Sequence, residues 1–178
     1  MRDGDSASLV FEGQLPIAFH AIANIPNPGS LSACNERNEH ALRSSLLPNE
    51  PVEVEDNDEI SQHLRRQEAK LDLLLDLVST LLARQGNNPG TRQIRLSAEG
   101  VRWQDGELAF ALDDCVEVEV HMTPGIPQAL KFYGKVIAAE GGMYEAEFYG
   151  VSQQVVDLLE KLIFRHHRRA VAQQRLDR

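Results

Sequence analysis

Cysteine, tryptophan and long apolar runs are what this chain has least of. Two cysteines, Cys34 and Cys115, stand far apart with no C-x-x-C and no zinc-type spacing, so neither a disulfide framework nor a zinc site is expected, and a reducing, cytoplasmic setting fits. No run approaches the roughly 18 apolar residues of a membrane span. The opening MRDGDSASLVFEG has two acids and no apolar core, unlike a secretory signal. Basic residues are also scarce: 18 Lys+Arg face 27 Asp+Glu, a net charge of −9 that argues against coating a nucleic-acid duplex or an anionic membrane. Missing too are a Gly-rich phosphate loop, a nucleophile elbow and paired carboxylates in a recognisable frame, so no enzymatic activity is expected.

What is present falls into segments. The basic excess is confined to residues 151–178, whereas residues 50–59, Glu-Pro-Val-Glu-Val-Glu-Asp-Asn-Asp-Glu, form an acidic stretch read as a solvated linker over 51–58. Before it lies an N-terminal extension, residues 1–50. Leu9 to Phe19 has strand composition, with Gly13 and Pro16 limiting it to an edge or irregular strand. A helix follows Ser30, from Leu31 to Leu47.

The clearest pattern spans 59–85. Ile60, Leu64, Gln67, Leu71, Leu74, Val78 and Leu81 alternate at spacings of four and three, a heptad a/d seam with Gln67 as its one polar position. Leu75, Leu77 and Leu82 widen the apolar stripe in the second half beyond what a two-stranded seam needs, which favours a tetramer. Such a helix is about 40 Å long at ~1.5 Å per residue, longer than one small domain covers. Leaving its leucines in water would forgo on the order of 10 kcal/mol, at about 1.5–3 kcal/mol each. Self-association through Ile60, Leu64, Gln67, Leu71, Leu74, Leu75, Val78, Leu81 and Leu82 is therefore expected, against the alternative that the helix lies along its own domain.

From Thr91 to Gly150 the chain reads as β. Val116-Glu-Val-Glu-Val-His-Met122 alternates at period two, and Gly141-Gly142 marks a hairpin turn. Five or six strands so spaced suggest a small antiparallel barrel, with Trp103 in its core. Ser152 caps a last helix to about Gln174, apolar at Val155, Leu158, Leu159, Leu162 and Ile163. Near its end His166-His167 are read as part of a solvated basic helix end rather than a metal site, since neighbours on a helix point about 100° apart; the functional alternative is a docking patch for an acidic partner. Cys115, beside Asp113 and Asp114, is read as a buried, inert thiol.

Arg95-Leu-Ser-Ala-Glu-Gly100, followed by Val-Arg-Trp103, the barrel and a helix ending Phe164-Arg-His-His-Arg-Arg169, resembles a PilZ domain. The resemblance implies an α+β fold, a six-stranded antiparallel barrel over 87–174 with a C-terminal helix, and a binding site for bacterial cyclic di-GMP. Arg66 to Asp76 is similar to the helix of a divergent PilZ subgroup that assembles as a tetramer. The family's two ligand motifs are incomplete here. No Arg-x-x-x-Arg stands just before the barrel, where Gln85 to Thr91 lie; the nearest imitation, Arg66-x-x-x-Lys70, sits on the heptad flank. In the Asp/Asn-x-Ser-x-x-Gly motif Ser97 and Gly100 are present, but Arg95 takes the acid's place and has no acceptor to offer a guanine. A strand-to-strand turn accounts for Ser97 and Gly100 without any ligand.

Two functions follow from the resemblance. One is a non-enzymatic signalling adaptor, oligomeric and cofactor-free, that binds cyclic di-GMP weakly or not at all and acts on an unidentified protein in motility, pili or virulence control. The other is a genuine cyclic di-GMP receptor using Arg95, Ser97 and Gly100. A purely structural oligomerisation protein is a third.

Overall fold

Alternation of apolar and polar residues makes six strands that each point one face inward. They are β1 (Phe11–Ile22), β2 (Thr91–Leu96), β3 (Gly100–Gln104), β4 (Cys115–Val120), β5 (Leu130–Glu140) and β6 (Met143–Phe148). The computed structural model describes residues 9–46, 62, 63, 66, 67, 69–71, 73, 74, 77, 78, 89–106, 109–122 and 129–176. The strands close into an all-antiparallel barrel in the order β1-β2-β3-β6-β5-β4. Its interior is filled by Ile17 and Phe19 from β1, Ile94 and Leu96 from β2, Trp103 from β3, the three valines of β4, and Phe132 and Phe148 from the last hairpin. Trp103 stacks on Phe19 at 4.1 Å between ring centroids and meets the edge of Phe110 at 5.7 Å, while Phe132 stacks on Phe148 at 4.5 Å. Gly141 and Gly142, with φ of 58° and 81°, make the β5–β6 turn that needs left-handed residues.

The barrel is not contained within 87–174. That span supplies five strands, and β1 from the N-terminal extension supplies the sixth. Nor is β1 an edge strand. Phe11 to Pro16 pair with β2 and Ile17 to Ile22 with β4, so one long strand bridges two neighbours. Pro16, which has no N–H, is the last residue paired with β2, and the partner changes at the next residue. A closed barrel leaves no edge for it to occupy.

Two helices lie outside the barrel, α1 (Pro28–Leu46) and α2 (Gln153–Leu176). The first begins three residues before the expected start, because Asn27 is its cap: its Oδ1 accepts from Ser30 N at 3.0 Å, and Pro28 occupies the first helical position. Ser152 caps α2 as expected, accepting from Val155 N at 3.3 Å. Cys34, Asn38, Ala41 and Leu42 of α1, and Val155, Leu159, Leu162 and Ile163 of α2, are buried. Arg165 of α2 also donates to the carbonyl of Ser45 near the end of α1. Cys115 is only half-buried, because it opens β4 opposite Ile22, the last residue of β1.

Among the heptad positions, Gln67, Leu71, Leu74 and Val78 are described, and all four are helical and exposed. Ile60, Leu64, Leu75, Leu81 and Leu82, like the linker 51–58, lie outside the described residues. Leu71, Leu74 and Val78 are 59%, 57% and 44% exposed on the single chain.

Candidate functional site

Arg95, one residue before the end of β2, points outward, Ser97 begins the β2–β3 turn and Gly100 closes it, so the three residues singled out from the sequence stand together. They line an open groove of about 490 Å³, with Val10, Val101, Ile137 and Ala146 as its apolar residues and Arg102, Glu99, Glu145 and Glu147 as its further charges.

Each of the three has a local reason to be there. Ser97 Oγ accepts from the backbone N–H groups of Glu99 at 3.2 Å and Gly100 at 3.3 Å, and Ser97 N donates to Gly100 O at 2.9 Å, which makes a hydroxyl-capped turn. Gly100 is where β3 runs closest to β6: a β-carbon there would collide with the carbonyl oxygen of Ala146. Arg95 has a carboxylate opposite, with Nε 3.3 Å from Glu12 Oε1.

The registers extend that pair into a ladder across four strands. Glu12 is opposite Arg95, Arg95 opposite Arg102, and Arg102 opposite Glu145. Arg102 donates twice to Glu145 Oε2, from Nε at 3.1 Å and from the terminal nitrogen at 2.6 Å. Two guanidiniums lie side by side, each matched by an acid on its outer flank. Exposed pairs of this kind contribute about 0–1 kcal/mol, so a phosphate could draw either Arg away at little cost. The larger obstacle is the field. Glu99 and Glu147 also line the groove and, among the described residues, have no cationic partner. An anionic ligand would meet more carboxylates than guanidiniums.

Arg102 with its partner Glu145, and Glu12 opposite Arg95, are not legible in the sequence. Val-Arg-Trp places Arg102 on the outward face of β3, but its neighbours depend on register across strands far apart in the chain. The two histidines were also read too simply. His167 Nε2 lies 2.6 Å from the carbonyl of Val10, and the His166 ring meets Phe11 edge-on at 5.8 Å. They hold the start of β1 against α2, next to the groove that Val10 lines. Arg66 is helical and exposed, as is Lys70.

A barrel of this topology, with a Ser-capped turn and a charged groove at the β2–β3 corner, can be set beside known proteins. The family model for the atypical PilZ domain, cyclic di-GMP receptor, matches residues 48–176. The chain belongs to that family. A search of curated proteins gave no match. Among solved structures, the chain is similar to a pathogenic protein from Xanthomonas campestris described as a new tetrameric PilZ domain self-assembled via an unusual helical bundle. The two are 24% identical with a TM-score of 0.72, over 94% of this chain and 92% of that one. At this identity the likeness speaks for the PilZ fold. The PilZ match begins after α1, yet β1 is a stave of the same barrel, so the folded PilZ unit of this chain includes residues that the family match leaves out. None of the helices is long and apolar enough to cross a membrane among the described residues.

Proposed function

We propose that the chain is a non-enzymatic signalling adaptor of the PilZ family whose cyclic di-GMP site is degenerate and which acts through protein contacts. In this reading its pathway is bacterial cyclic di-GMP signalling, in motility, pili or virulence control. The observation that carries the reading is the Glu12–Arg95–Arg102–Glu145 ladder, whose Arg95, Arg102 and Glu145 line a groove together with Glu99 and Glu147. Where the family motif places an acceptor for guanine, Arg95 offers only donors, and the surrounding carboxylates oppose a dianionic ligand. The apolar seam spaced from Ile60 to Leu82 assembles the adaptor as a tetramer. That part of the reading is supported by the heptad spacing and the exposed Leu71, Leu74 and Val78. Assembly by a helical bundle in the Xanthomonas protein is consistent with it.

The second reading, a genuine cyclic di-GMP receptor, is favoured by the family's description and by the convergence of Arg95, Ser97 and Gly100 in one groove. Calorimetric titration with cyclic di-GMP separates the two. The adaptor gives no heat of binding up to about 100 µM ligand. A sub-micromolar dissociation constant that Arg95→Ala abolishes would establish the receptor instead.

A further inference from the structure

We propose that the outward stripe of α2, formed by Lys161, Phe164 and Arg168, is a docking surface for an acidic protein segment that carries apolar side chains. The inference rests on the adaptor reading and names the surface through which the adaptor would act.

Three observations lead to it. The first is charge left unmatched. On the barrel Arg92 is paired with Asp105, Arg95 with Glu12, Arg102 with Glu145, Lys131 with Glu117 and Glu119, and Lys135 with Asp113. Lys161 and Arg168 have no carboxylate partner among the described residues, in a chain with nine more acids than bases. Asp157, one turn before Lys161, instead accepts from Gln153 at 2.8 Å. The second is an exposed aromatic ring between those cations. Phe164 is 51% exposed on a helix whose other face buries Val155, Leu159, Leu162 and Ile163. Positions 161, 164 and 168 follow the i, i+3, i+7 rule and share one stripe. The third is the footprint. The seven steps from Lys161 to Arg168 span about 10 Å, close to the Debye length of ~8 Å at physiological salt.

That footprint selects the occupant. A short acidic segment can lie across Lys161 and Arg168 without spreading over the acidic barrel. A nucleic-acid duplex or an anionic bilayer extends far beyond the stripe and meets the remaining acidic surface. The exposed Phe164 ring adds a requirement that charge alone lacks, an apolar side chain on the partner.

The test uses the full chain and a fluorescein-labelled peptide of repeated Glu-Asp-Leu triplets, followed by fluorescence anisotropy. The expected result is saturable binding on the order of 10–100 µM. Phe164→Ala should weaken it about fivefold, as should replacing Leu by Gly in the peptide. Lys161→Glu and Arg168→Glu should each weaken it about tenfold. All three substitutions are at exposed positions, and circular dichroism verifies that the variants fold. The proposal is overturned by no saturation at about 1 mM peptide, by variants that bind like the parent, or by tighter binding of poly-uridine RNA or phosphatidylglycerol vesicles through the same residues. A cyclic di-GMP titration on the same samples keeps the two readings apart. Nucleotide binding with an active stripe defeats only the degenerate-site reading, and a silent stripe without nucleotide binding defeats only this one.

Discussion

Gly100 shows how one residue can satisfy a ligand motif and a structural demand at once. Its missing β-carbon is required by the approach of β3 to the carbonyl of Ala146, whether or not a ligand enters the groove. Gly100→Ala must push β3 and β6 apart within a closed barrel that has little room to relax. It is expected to destabilise the fold by about 1–3 kcal/mol, the range for overpacking. Ser97→Ala removes only the turn cap and should cost about 1 kcal/mol. Urea denaturation of both variants checks the order; equal or negligible losses would return Gly100 to a ligand role. Both residues were legible in the sequence as a turn, because a hydroxyl followed three positions later by glycine is a local signal. Arg95 was legible as a departure from the motif, but its partner was not. Glu12 reaches it only because β1 pairs with β2, and nothing near either residue announces that pairing.

At the level of elements, the hairpin at Gly141-Gly142, the alternating β4 and the Ser152-capped α2 could all be read locally, since each is defined by periodicity and caps within one window. The role of β1 could not. Gly13 and Pro16 argue against a central strand, and only closure of the barrel reveals that Pro16 lies where one partner gives way to another. The same holds for α1. Lys131 on β5 pairs with Glu119 of β4, but β6 begins to pair with β5 only at Gly134, which leaves the other flank of Lys131 without a strand. Asn38 fills that place: its Oδ1 accepts from Lys131 N at 2.9 Å and its Nδ2 donates to Lys131 O at 2.6 Å. A buried amide on α1 thus acts as the missing strand partner, aided by Cys34, whose thiol donates to the same carbonyl at 3.1 Å. Burial pushes the Cys34 thiol above its ordinary pKa, against the opposing pull of Arg37 and Lys131, so it stays a protonated donor at neutral pH. Asn38→Ala leaves the Lys131 N–H without its partner, while Cys34 still serves the carbonyl, and should cost about 1–3 kcal/mol, the range for one unsatisfied buried group. Asn38→Asp keeps the acceptor but sets a carboxylate against the Lys131 carbonyl, so it should not restore stability. Urea midpoints near the parent's for either variant would show that α1 is held by its apolar contacts alone.

On the scale of the whole molecule, two kinds of surface remain uncovered on the single chain, and they should answer to salt with opposite outcomes. The heptad segment 59–85 has as many basic as acidic residues, so the proposed assembly would draw on apolar burial rather than on charge. Leu71, Leu74 and Val78 are about half exposed on one chain, and burying such side chains contributes about 1.5–3 kcal/mol each. Leu74→Glu places a carboxylate at the centre of the seam, where it would be desolvated beside its symmetry copies, a cost that outweighs what one leucine had contributed. Light scattering on the parent should give a mass of four copies of the 19.9 kDa chain at micromolar concentration, and on Leu74→Glu a mass of one. The parent mass should persist at about 1 M salt, where the Debye length falls to ~3 Å, because screening leaves apolar burial intact and weakens repulsion between acidic chains. The Lys161–Phe164–Arg168 stripe draws on charge, and its hold on an acidic peptide should be lost under those conditions. A parent that is monomeric at low salt, or that dissociates as salt rises, would mean that the leucine seam is covered within the chain or that ion pairs, not leucines, hold the copies together.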